Sequence, residues 1–214
     1  MNRATRTTAA LLGLTAGLAG LEHGYFELRQ GPVVPEGLMF ASMGLPCQPE
    51  IAWHACEPAL TVIPNLQISG ILSIVVGLAV VVWSLAFVQR KHGGLVLMAL
   101  STILLLVGGG IFPPVIGFIA GLIGTRINAP LTFWRRHLSA AATHALAALW
   151  PWPLAIYLLW TMLGQWVFGA YFNTLMRQYG FVSLLLILLP LILAPFTAFA
   201  HDIRERPGAV LVSM

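Results

Sequence analysis

The chain has 214 residues, of which 58% are hydrophobic and 8% charged, with a mean hydropathy of +0.87. Soluble domains carry about 25% charged residues, and a water-soluble fold this apolar could not cover its own surface with polar groups. The formal charge of +4 does not point to nucleic acid, because the basic residues form small groups at the ends of apolar stretches instead of lining one face.

Five stretches contain no Asp, Glu, Lys or Arg: 7–21, 67–88, 93–125, 137–176 and 178–200. A spanning helix needs about 20 apolar residues, whereas a porin-like barrel would show alternating strands of about 10. The expected class is therefore an all-α polytopic membrane protein, one helical domain over 1–214 with about six membrane segments. The lipid bilayer is its expected surrounding partner.

The first segment is expected over 7–27. Gly13 and Gly17, then Gly20 and Gly24, recur at four-residue spacing, which lets helix backbones approach closely in lipid. An alternative reading takes Arg3, Arg6, the apolar stretch and the small residues Gly17 and Ala19 as a cleaved secretory signal. The segment ends in Glu22-His23-Gly24-Tyr25-Phe26-Glu27, where His23 and Glu27 lie four apart and face the same way. Ionisable residues inside a membrane segment are a functional hypothesis by default, so Glu22, His23 and Glu27 form a candidate proton or ion site. The plain alternative is that the helix ends early and these groups bond to headgroups or water. An alternative reading takes His23 and Glu27 as two ligands of a divalent metal, with Glu22 and, by its shared side of the membrane, His54 as weaker candidates to join them.

Residues 28–66 form an expected external loop with six prolines, which argues against a regular domain. Its Cys47 and Cys56 are the chain's two cysteines, on the side where oxidation is permitted, and a disulfide around Trp53 and His54 is expected. A catalytic thiol pair is the sharper but less favoured reading. The apolar run 38–45 is too short to span and is expected to lie flat on the outer leaflet or to cover the bundle.

The second segment, 67–88, carries a small-residue stripe at Ser69, Ser73 and Gly77. The run 93–125 would extend about 50 Å as one straight helix, too long for the bilayer. Its middle reads Gly108-Gly109-Gly110-Ile111-Phe112-Pro113-Pro114, a poor helix interior and a good turn. A hairpin with arms at 94–110 and 113–125 is expected, the second arm short enough to be re-entrant. This topology leaves only Arg29 and Arg177 of the eleven basic residues outside, as the positive-inside rule prefers; a single crossing would leave six there.

The fifth segment, 138–163, contains Pro151 and Pro153, and the sixth, 179–200, contains Pro190 and Pro195. Such prolines kink helices or expose backbone to a substrate. His144 shares a face with His137 and is expected to hydrogen-bond a neighbouring carbonyl. Trp134, Trp166, Tyr171 and Tyr179 fit an interfacial aromatic belt.

The expected location is the cell membrane, with both termini cytoplasmic. Cytoplasmic parts are brief, and no phosphate-cradling glycine loop is present, so no cofactor is assigned. Three functional classes stay open: a small transporter or channel for protons, ions or a small solute; an accessory or assembly subunit with other membrane subunits as partners; and a membrane-embedded metal or cofactor enzyme, the least favoured.

Overall fold

The computed structural model describes residues 1–43, 48 and 54–205. These form ten α-helices, one π-helical turn and a two-stranded antiparallel sheet. Three stretches are long and apolar enough to cross a membrane: α2 (Leu66–Ala86), the interrupted run Ala140–Tyr171, and the last helix, Gly180–Glu205. The shorter apolar helices α3 (Gly93–Leu106) and α4 (Phe112–Gly124) extend about 21 and 20 Å at 1.5 Å per residue, less than the roughly 30 Å hydrocarbon core.

The longest helix, α1 (Arg3–Gln30), is not among the apolar spans. It packs against α2 and α4 and buries thirteen residues, most of them Ala, Gly or Thr. The small residues act reciprocally. A Cβ added at Gly17 would lie 2.8 Å from Gly77 O, and one at Gly24 would lie 2.8 Å from Gly70 O. Ser73 Oγ donates to Gly20 O across the same seam at 3.0 Å. Close backbone approach is thus what joins α1 to α2.

Arg3 and Arg6 leave the first turn of α1 without an acidic residue, and Asn2 supplies no side-chain cap. The anion comes from 197 residues away. Asp202 accepts from Thr5 N at 2.8 Å, Thr5 Oγ1 at 2.6 Å and Ala4 N at 3.1 Å. A carboxylate here satisfies two orphan donors and complements the helix dipole.

The α3–α4 connection occupies 107–111. Pro113 and Pro114 do not form the turn; they sit in the first turn of α4, where proline's missing N–H has no helical partner to lose. Gly108 and Gly110 adopt φ of +96° and +82°, a region that glycine enters freely.

The fifth segment departs from the expected single helix over 138–163. A short helix α5 (Thr132–His137) precedes it, then α6 (Ala140–Leu149) ends at Trp150, whose ψ of 133° is extended. A proline disfavours helical backbone in the residue before it, so the Trp150–Pro151 step breaks the helix. It resumes as α7 (Trp152–Leu159), passes through the π-helical turn Trp160–Gly164, and continues as α8 (Gln165–Tyr171). α9 (Asn173–Gln178) leads into α10 (Gly180–Glu205), which runs through Pro190 and Pro195 without interruption.

The described residues of the 28–66 loop include regular structure that its prolines did not suggest. β1 (Met39–Ala41) pairs with β2 (Pro58–Leu60), so Met39–Ala41 is a strand rather than a segment flat on the leaflet. A further bridge joins Thr61 to Val107, and Gly108 N donates to Leu60 O at 2.9 Å, fastening the loop to the α3–α4 turn. Cys47 lies outside the described residues, so the expected Cys47–Cys56 pairing lies outside them as well.

Candidate functional site

The helices form two half-bundles. α1 to α4 pack together, α10 packs against α6 and α7, and α1 meets α10 where Asp202 caps the first helix. Between the halves lies a cavity of about 890 Å³. Its walls are α1 from Thr15 to His23, α4 from Phe112 to Ile119, the π-helical turn, and α10 from Gly180 to Phe196. At the end of the α1 wall opposite His23, Tyr157 OH and Thr15 Oγ1 share a hydrogen bond of 3.1 Å across the halves. At the other end the His54 ring stands edge-on to Trp166, with centroids 4.7 Å apart, so the loop between α1 and α2 reaches over to the second half.

The polar groups gather at that end. Glu22, His23, His54 and Glu57 all line the cavity, with Arg177 of α9 at its margin. His23 is buried; its Nδ1 lies 2.8 Å from Ser42 Oγ, and its Nε2 approaches Glu57 Oε2 to 3.7 Å. Glu22 is within electrostatic range of Glu57, as His23 is of His54. Burial pushes the Glu57 carboxyl up to about 7 and holds the His54 imidazole below its usual value. A carboxyl near 7 takes up and releases a proton around neutral pH.

Glu27 takes a different place from the one its spacing suggests. It is fully buried with the Ser69 hydroxyl beside it, and among the described residues no donor lies in good hydrogen-bond geometry to either carboxylate oxygen. It does not line the cavity but lies under the α3–α4 turn, where any side chain on Gly108 would overlap its carboxylate. A side chain on Gly110 would likewise overlap the His23 ring. Gly108 and Gly110 therefore cover the acid and the imidazole as well as making the turn, while Gly109 packs on Leu104.

The metal reading fares poorly. Among the described residues, Glu22, His23, Glu27, His54 and Glu57 bring no three ligand atoms within 4.8 Å of one another. The group that does is His201, Asp202 and Glu205, but the Asp202 carboxylate already accepts three hydrogen bonds from α1. The expectation for His144 is corrected too: it is exposed and hydrogen-bonds no carbonyl, since its position on α6 faces away from the bundle. His137 instead donates to Phe133 O at 2.8 Å. Of the aromatic residues, Tyr171 and Tyr179 are exposed, while Trp134 packs on Phe196 and Phe199.

Sequence reasoning missed Glu57, Ser42 and Asp202. A carboxylate in a proline-rich loop or a helix-end Asp is unremarkable until tertiary pairing buries it. No family model, curated protein or solved structure matches the chain.

Proposed function

We propose that the chain is a small membrane transporter that exchanges protons for a solute held in the chamber between its half-bundles. The observation that carries this reading is the convergence of Glu22, His23, His54 and Glu57 at one end of an otherwise apolar cavity. His23 stands between Ser42 and Glu57, so the Glu57 carboxyl, which titrates near 7, holds its proton against a positioned imidazole inside the chamber. Glu27, one turn further along α1 and beneath Gly108, is the next titratable group toward the outer end. The π-helical turn in the opposite wall supports the same reading, because such turns are frequent at functional sites.

Six membrane segments, cytoplasmic termini, an external 28–66 loop and a place in the cell membrane complete the proposal, supported by the distribution of Arg and Lys. A Cys47–Cys56 disulfide in that loop belongs to it. The test is reconstitution in liposomes that trap a pH-sensitive dye. Under an imposed gradient, with a panel of small and amphipathic cations supplied on the opposite face, the wild type should move protons faster than protein-free liposomes given the same panel, and Glu22→Gln should return the rate to that background with expression intact. Wild-type vesicles no faster than empty ones would defeat the transport reading.

A further inference from the structure

The chamber has the proportions of a slot. Along α10 its wall runs from Gly180 to Phe196, sixteen helical steps or about 24 Å at 1.5 Å each. One leaflet's share of the hydrocarbon core is about 15 Å, so the slot is longer than a leaflet is deep. Below the outer end the wall residues are Ile116, Ile119, Ile187, Leu191 and Phe196, with Tyr157 contributing a hydroxyl already bonded to Thr15. Phe112, Val115, Leu188 and Ile192 both line the slot and are exposed, so it opens sideways between α4 and α10, toward lipid. A small hydrated ion gains nothing from such walls. An extended hydrocarbon chain does, at about 0.8 kcal/mol per buried CH₂.

The head end has its own chemistry. Glu22 and Glu57 face one chamber, and among the described residues neither is ion-paired with an arginine or lysine. His23 is engaged with Ser42 and Glu57, His54 stands against Trp166, and Arg177 has an interaction partner of its own. The net character is that of an anionic socket above an apolar slot. Ligand sites of this kind are apolar with a few placed polar groups, and about 890 Å³ lies within their usual range.

We propose that the chamber binds a long-chain primary amine, its ammonium head between Glu22 and Glu57 and its tail along the slot toward Phe196. This names the solute of the proposed transporter and rests on reading the chamber as its solute site. An alkylammonium stays charged at neutral pH, as lysine does, so it presents a cation to the two carboxylates while its chain runs along a mostly apolar wall, where Thr161 and Ser183 are already hydrogen-bonded within the protein. Arrival of the cation and departure of a carboxyl proton then balance in charge, which makes the exchange one for one.

The test is competition. The protein in phosphatidylcholine nanodiscs receives equal amounts of hexadecylamine, hexadecanol and palmitic acid at about pH 8, and native mass spectrometry reads the adducts. The amine adduct should exceed the alcohol adduct at least about tenfold, equivalent to roughly 1.4 kcal/mol. Glu22→Gln with Glu57→Gln should erase that preference yet retain the alcohol, which also shows that the variant folds. Ile116→Trp, which fills the slot, should lose all three adducts. If the double variant does not fold, the wild type decides alone: its amine preference should fall as pH drops through about 7, where Glu57 takes up a proton. Equal adducts at about pH 8, a palmitate excess, or a preference insensitive to pH would overturn the proposal. Proton movement intact without amine preference refutes this inference and spares the transport reading; amine binding without proton movement does the reverse.

Discussion

Asp202→Ala tests whether the two half-bundles are joined where α10 caps α1. The variant removes an acceptor that is 3% exposed and leaves Thr5 N, Thr5 Oγ1 and Ala4 N without a partner. Three hydrogen bonds to a charged acceptor, at about 1.5–3 kcal/mol each, would sum to far more than capping deletions show, because water enters the vacated site and the terms are not additive. Loss of a helix cap costs about 1–2 kcal/mol, and breaking a buried charged network about 3–5 kcal/mol. The three-bond network lies between, so the expected loss is about 3 kcal/mol. For a chain of this length that corresponds to a fall in Tm of about 6–12 °C. Thermal unfolding of the detergent-solubilised protein, followed by circular dichroism, reads it directly. Asp202→Asn keeps one accepting oxygen and should fall between the two. A shift below about 2 °C for Asp202→Ala would mean that α1 is held by its seam with α2 alone, and the capping argument would be wrong.

Glu57 gives a pH dependence of unusual sign. Its carboxyl titrates near 7 in the folded chain and at its ordinary 4.5 when unfolded, so the folded state holds the extra proton between those values. Stability should therefore be full below 4.5, decline as pH rises toward about 7, and level off above it. Glu57→Gln should flatten that part of the profile, and a wild-type Tm rising over the window would refute the assignment. Gly24→Val places a side chain against Gly70 O, where even a Cβ would sit at 2.8 Å. Overpacking of this kind costs about 1–3 kcal/mol, so a variant as stable as the wild type would show that the α1–α2 seam is looser than described. Reduction should expose two alkylatable thiols and lower stability by about 2–3 kcal/mol if Cys47 and Cys56 are bridged. Thiols already reactive in native membranes would exclude the bridge.

The helical membrane class was legible because charge-free runs of the right length admit few other folds. The interruption at Pro151 was only half legible. The sequence marks Pro151 and Pro153 as breakers, but whether a proline kinks a helix or ends it depends on the residue before it and on what satisfies the freed carbonyl. Pro190 and Pro195 carry the same signal and leave α10 continuous, whereas Trp150 turns extended. The site divides in the same way. Glu22 and His23 were legible as ionisable residues on an apolar helix, but their partners Ser42 and Glu57 adjoin two different strands and become neighbours only when those strands pair into a small sheet, Ser42 N donating to Glu57 O at 3.0 Å. That sheet forms because short strands in a proline-rich loop find each other and the α3–α4 turn. Periodicity is silent on such pairing.

The composition of α1 has a consequence for where chemistry can sit. A helix that faces lipid must be apolar around most of its circumference, as α2 and α10 are. α1 is enclosed by α2, α4 and α10, so it faces protein, and its surface need only be small and satisfied. That freedom is what permits Thr5, Thr8, Thr15, His23 and Glu27 to lie buried along one helix in a chain that is otherwise 8% charged. The low hydropathy that removes α1 from the apolar spans is thus the signature of its central position. Polar function in this fold belongs on the helix least suited to lipid, and the chamber opens along that helix from Thr15 to His23.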